Sequence, residues 1–230
     1  MKSFAAFAFA IASQVVIGQQ SFFDSFDDQG LLNWGWYMEC VSSIDYSVSN
    51  SMLHVTKMNY PICKETVWLV GRPNLFDTTQ GFEMSVRVGW EDKPGRFTFK
   101  NALGSGGTVA YLDAGPGGVS AVIRERGGDI ISSGSVSAPR SGFFTLKITR
   151  YGGLVKTYFE STLICEGVTN LVRDSEQLWI GFYAPNDQVQ MGYHVDWAEG
   201  HPVPEPATIV VLVIGTASLA MRRKRASQRL

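Results

Sequence analysis

Leu146-Lys147-Ile148-Thr149-Arg150-Tyr151-Gly152-Gly153-Leu154-Val155-Lys156-Thr157-Tyr158-Phe159-Glu160 is the stretch that decides the fold. Leu146 and Ile148 alternate with Lys147 and Thr149, the period of two that a half-buried strand requires. Gly152-Gly153 then joins two runs, Phe143–Tyr151 and Leu154–Glu160, and a glycine pair between alternating runs is a strong hairpin signal. Working upstream, Phe82, Met84, Val86, Val88 and Trp90 alternate with Glu83, Ser85, Arg87 and Gly89. The same reading predicts strands over Met52–Lys57, Glu65–Gly71, Phe97–Lys100, Thr108–Asp113, Val119–Arg124, Ile130–Ser135, Gln177–Tyr183 and Met191–Ala198. No stretch between 22 and 199 sustains an i, i+3, i+4 apolar stripe over three turns. About twelve short strands in one body predict an all-β, two-sheet sandwich rather than two small domains.

Composition agrees. The 230 residues are 45% hydrophobic, 12% aromatic and 18% charged, which excludes a disordered chain. Twenty-four glycines suit a fold with many tight turns. The net charge of −1 argues against a nucleic-acid binder, yet it hides an asymmetry. Between Gln19 and Gly200 there are 14 Lys and Arg against 20 Asp and Glu, a balance of −6, whereas the last nine residues hold five basic residues and no acid.

The two ends read as addresses. Met1-Lys2, the apolar run from Phe4 to Ile11 and the small residue Gly18 predict a secretory signal peptide over 1–18, exported by the Sec route. The ectodomain is then 19–200, and a proline-rich linker over 201–206 ends it. Ala207 to Met221 is uninterruptedly uncharged and predicts a single transmembrane helix over 207–221. Arg222-Arg223-Lys224-Arg225 opens a basic tail, 222–230, that the positive-inside rule keeps cytoplasmic. The order Val203-Pro204-Glu205-Pro206-Ala207-Thr208, apolar span and basic cluster closely resembles the PEP-CTERM sorting signal of Gram-negative bacteria. That resemblance implies an exosortase-type membrane protease or transpeptidase as partner, reading Pro204, Glu205 and Pro206, and display at the cell surface or in the extracellular matrix.

Three stretches resemble the concanavalin A-like (laminin-G/glucanase) jelly roll: the opening Phe22-Phe23-Asp24-Ser25-Phe26-Asp27-Asp28, the central hairpin, and the closing Ile180–Ala184 with Tyr193–Trp197. In such folds the first and last strands lie together, which would put Phe26 and Trp197 in one core.

Catalytic signals are few. Family 16 glycoside hydrolases on this fold carry Glu-x-Asp-x-x-Glu on one strand, where period two sets the acids on one face as nucleophile and acid/base. That spacing does not occur here, no catalytic residue is assigned, and the chain is expected not to be an enzyme. Of the three histidines, His201 falls in the proline linker, His54 in a strand, and His194 two residues from Asp196. No Gly-x-Ser-x-Gly elbow is present. Calcium takes six to eight oxygens, and Asp24, Asp27, Asp28 and Asp196 could converge to supply some of them if the end strands pair. Cys40 and Cys63 are the candidate disulfide, leaving Cys165 as a free thiol, buried or exposed. Most of the tryptophans sit at alternating strand positions and read as core, whereas Tyr111 and Tyr183, beside turns, are candidates to stack on sugar rings. These residues point to an exported binding or adhesion module with polysaccharide as its ligand. An extracellular polysaccharide-acting enzyme and a ligand-free structural protein stay open beside it.

Overall fold

The structure is a computed structural model and describes residues 21–27, 36–39, 44–58, 66–71, 81–93, 95–102, 108–125, 128–170, 177–183 and 190–203. Residues 1–18, where a signal peptide is expected, Pro204-Glu205-Pro206, the span 207–221, Arg222–Arg225, Asp28, Cys40 and Cys63 lie outside the described residues. Among the described residues there are fifteen strands and no helix, and no helix long and apolar enough to cross a membrane.

The strands form two antiparallel sheets. The first runs β13 (Thr162–Val168), β12 (Leu154–Phe159), β11 (Gly142–Tyr151), β6 (Gly81–Trp90), β15 (Gln190–Pro202), β4 (Met52–Met58) and β3 (Ile44–Ser49). Its eighth strand, β1 (Phe22–Asp24), pairs with the C-terminal end of β15, so the first and last strands do lie together. The second sheet has seven strands: β10 (Ile130–Ser137), β9 (Gly118–Arg124), β8 (Thr108–Gly115), β7 (Arg96–Ala102), β14 (Gln177–Tyr183), β5 (Thr66–Gly71) and β2 (Trp36–Glu39). The deciding hairpin is β11–β12, with Gly152 at φ 52° and Leu146 opposite Phe159.

Alternation explains the core. Met84, Val86 and Val88 of β6 and Leu146 and Ile148 of β11 are fully buried between the sheets, as are Phe97, Phe99 and Phe182 of the other layer. Each such side chain contributes about 1.5–3 kcal/mol of transfer free energy. Arg150 is also fully buried, its Nη1 donating to the Gly152 carbonyl at 3.0 Å and its guanidinium lying 5.1 Å from the Phe82 ring centroid. Cys165 is a buried free thiol, with Sγ 3.2 Å from the Thr157 hydroxyl.

Along one edge the sheets touch through β10 and β13. A Cβ on Gly134 would collide with the Ile164 carbonyl oxygen, and one on Gly167 would lie 2.9 Å from Ile131. Glycine is required at that seam.

Three sequence expectations are corrected. Fifteen strands replace about twelve; β2, β3 and β13 were not expected. Phe26 is buried, but Trp197 does not share its core. A β-bulge between Val195 and Trp197 leaves both Asp196 and Trp197 on the outer side while Val195 and Ala198 stay buried, and Trp197 leans on the exposed Phe23 at 6.4 Å. His201 is not in a linker: β15 continues through Pro202, and His201 pairs with Glu83 in register and contacts Glu199 at 3.0 Å.

Candidate functional site: the outer face of the seven-stranded sheet

Directly opposed residues in an antiparallel sheet share a face, so the register itself builds this surface. One row reads Trp179 on β14, Lys100 on β7, Tyr111 on β8, Val122 on β9 and Ser133 on β10. The next reads Gly181, Thr98, Asp113, Ser120 and Ser135 on the same strands. Tyr183 and Arg96 pair in the row beyond. Trp179, Tyr111 and Tyr183 are half-buried, while Arg96, Ser133, Ser135 and Ser137 are exposed. Their neighbours along each strand, Ile180, Phe182, Phe99 and Leu112, point the other way into the core.

Two of the aromatic rings carry cations. Lys100 Nζ lies 4.3 Å from the Trp179 ring centroid, and the Arg124 guanidinium 5.7 Å from that of Tyr111. Arg124 is braced by a 2.9 Å bond from Nη1 to the Gly128 carbonyl. The Thr98 hydroxyl donates to Asp113 Oδ1 at 2.6 Å. Where β8 turns into β9, Arg96, Asp113, Gly115–Gly118, Ser120, Ser135 and Ser137 line a groove of about 490 Å³. Gly117 takes φ 94° at its rim, a backbone conformation that favours glycine. Aromatic faces, hydroxyls and one carboxylate are the groups that recognise a polyhydroxylated ring.

The residues singled out from sequence divide between the sheets. Tyr111 and Tyr183 both stand on this face. Trp179, Arg96, Lys100, Arg124, Thr98 and Asp113 do too, and sequence reasoning did not pick them. The core reading of the tryptophans holds for Trp90 but not for Trp179 or Trp197, which are half-buried. Asp24 and Asp196 lie on the other sheet, and Asp27 follows β1. Asp24 is buried and accepts the Phe26 amide at 2.7 Å, Asp27 is exposed and bonded by Ser25, and Asp196 pairs with Arg87 at 3.3 Å. The hydrogen bonds of Ser25 and then Ser51 hold the Asp27 carboxyl below its usual range. Among the described residues, no three His, Cys, Asp or Glu side chains gather into a metal-holding group.

His54 and His194 meet on the outer side of the eight-stranded sheet, Nδ1 to Nδ1 at 2.8 Å, with Glu91 3.6 Å from His194 Nε2. Burial, then the neighbouring His54, keeps the His194 imidazole below its ordinary pKa.

No family model matches the chain, and no curated protein matches it. Solved structures do. The CBM2 module of the evolved Dit from Lactobacillus casei BL23 phage J-1 superposes with a TM-score of 0.61 at 12% identity, covering 82% of this chain and 99% of that one. The carbohydrate recognition domain of Emp46p gives 0.57 at 10%, covering 78% and 94%. The laminarinase from Rhodothermus marinus gives 0.60 at 13%, covering 81% and 98%. At such identities the likeness establishes the fold: a two-sheet, concanavalin A-like jelly-roll sandwich. The sequence-based expectation of a non-enzyme is corrected by this set, because glycoside hydrolases stand in it beside binding modules. A missing Glu-x-Asp-x-x-Glu spacing is therefore no ground for excluding glycoside hydrolysis.

Proposed function

We propose that this is an exported surface or matrix protein that engages carbohydrate across the outer face of its seven-stranded sheet. The observation that carries the reading is the register row placing Trp179 and Tyr111 two strands apart on one face, beside a serine-lined groove. Similar structures named for carbohydrate recognition and for glucan hydrolysis support the ligand class. Export, anchoring by 207–221 and processing by an exosortase-type enzyme rest on the sequence of the two ends, Pro204-Glu205-Pro206 and Arg222–Arg225 above all.

A second reading, glycoside hydrolysis at the same face, is favoured by the hydrolases among the similar structures. That chemistry needs two carboxylates roughly 5–9 Å apart. Asp113 is the carboxylate among the described side chains of the face's strands. Glu39 holds a place in its row on β2, four strand spacings or about 19 Å away. The partner acid of a hydrolase would therefore come from outside the described side chains of these strands.

A glycan-array screen of the purified chain, followed by a reducing-end assay on every polysaccharide bound, tests both readings. Reproducible binding supports carbohydrate engagement, and reducing ends released from a bound polymer support the second reading. Silence on the array and in the assay would overturn both.

A further inference from the structure

The ectodomain is acidic overall, with 14 Lys and Arg against 20 Asp and Glu between Gln19 and Gly200. Its charges are not mixed evenly. On the eight-stranded sheet and its loops, basic side chains stand against carboxylates: Arg87 with Asp196, Lys147 with Glu83, Lys156 with Glu166, Lys93 with Glu91 and Arg140 with Asp92. The strands of the opposite face carry Arg96, Lys100 and Arg124 among their described side chains, and Asp113 as the acid. Asp113 is already engaged by the Thr98 hydroxyl. Arg96 and Arg124 have no carboxylate within ion-pair distance among the described residues, and Arg96 is exposed at the groove. Asp129, in the connection after β9, and Glu125, whose Oε1 accepts the Asn170 amide, are the acids closest in sequence to Arg124.

The three cations are spread rather than gathered. Arg96 and Lys100 are four residues apart on β7, about 14 Å along the strand, and Arg124 lies two strands from Lys100, about 10 Å across. Lys100 and Arg124 are seated over rings two strands apart. A small anion would reach one of them. An extended polymer with a charge on many of its units would reach Arg96 and Arg124 together, its sugar faces against Trp179, Tyr111 and Tyr183 and its hydroxyls against the serines of β10.

We infer that the ligand of this face is an anionic polysaccharide, bearing carboxylate or sulfate groups, rather than a neutral glucan. This inference rests on the reading of the face as a carbohydrate site. Like charge from the acidic body would otherwise oppose an anionic polymer, so two arginines without an ion pair among the described residues set orientation as well as affinity.

The test is affinity electrophoresis of the full chain through gels containing polygalacturonate, a sulfated galactan or the neutral glucan laminarin. Retardation by at least one anionic polymer, about tenfold tighter than by laminarin and falling steeply between 50 and 500 mM salt, is expected. Polygalacturonate against the sulfated galactan tells carboxylate from sulfate. Arg96→Glu should weaken anionic binding about tenfold with little change in thermal stability, because Arg96 is exposed and forms no ion pair among the described residues. Arg124→Gln should act in the same direction. Laminarin bound as tightly as the anionic polymers, insensitive to salt and to Arg96→Glu, would overturn the anionic inference while leaving the carbohydrate face standing. Failure of all three polymers to retard the chain would overturn the anionic inference too, and the array and reducing-end results would then decide the carbohydrate reading separately.

Discussion

The two imidazoles on the eight-stranded sheet allow one direction of hydrogen bonding when neutral. His54 Nε2 faces the Ser49 carbonyl at 3.0 Å and must donate, so its Nδ1 accepts and His194 Nδ1 donates. A second proton on His194 would sit at Nε2, toward Glu91, without breaking this chain. Burial opposes it and holds the His194 pKa down. Unfolded His194 takes up its proton near pH 6.5, whereas the folded residue waits for lower pH. The unfolded state therefore binds more protons in between, and stability falls as pH drops below about 6.5. Melting temperatures measured from pH 7.5 to 5 should decline, with a shallower slope in His194→Gln; identical slopes would contradict the assignment. At Asn50-Ser51, φ values of 52° and 56° describe a two-residue hairpin turn in which glycine is favoured second. Ser51→Gly should raise stability by about 0.5–1 kcal/mol, read as a denaturation midpoint, less what the Ser51–Asp27 hydrogen bond contributes.

At the scale of elements, legibility followed the glycines. The β11–β12 hairpin was readable because Gly152-Gly153 interrupts two alternating runs. The β12–β13 turn was not, since Glu160 takes φ 53° there with no glycine to mark it, held by its own carboxylate accepting the Thr145 amide at 2.9 Å. β3 was hidden for the same reason behind Asn50-Ser51. The bulge at Asp196 reversed the alternation of β15, which is why Trp197 reads as core and stands outside. Gly134 belongs to this scale too. Gly134→Ala would drive a Cβ into the Ile164 backbone, which cannot swing away, and should cost about 1–3 kcal/mol while opening the β10–β13 seam. Hydrogen exchange of β10 and β13 amides should accelerate together in that variant. Acceleration in β10 alone would mean that the seam does not depend on this glycine.

For the whole molecule, the class of fold was legible and half the face was not. Tyr111 and Tyr183 came out as candidates on a mistaken ground, since Tyr111 stands inside β8 rather than beside a turn and both are half-buried. Trp179 did not, because Leu178, Ile180 and Phe182 are as apolar as it is, and periodicity in β14 cannot say which side faces out. Thr98 meets Asp113, and Lys100 meets Tyr111, only once β7 and β8 are paired, and pairing register is a property of the sheet. The face proposed to engage carbohydrate is thus an assembly of β14, β7, β8 and β9, and its aromatic pair is where it can be cut. The decisive measurement is the affinity of Trp179→Ala and Tyr111→Ala for the tightest-bound polysaccharide, beside Tyr151→Ala on the opposite sheet, with melting temperatures for all three. If the face binds sugar rings, the first two lose about tenfold or more in affinity at nearly native stability and Tyr151→Ala keeps its binding. Undiminished affinity in both Trp179→Ala and Tyr111→Ala would place the ligand elsewhere on the molecule.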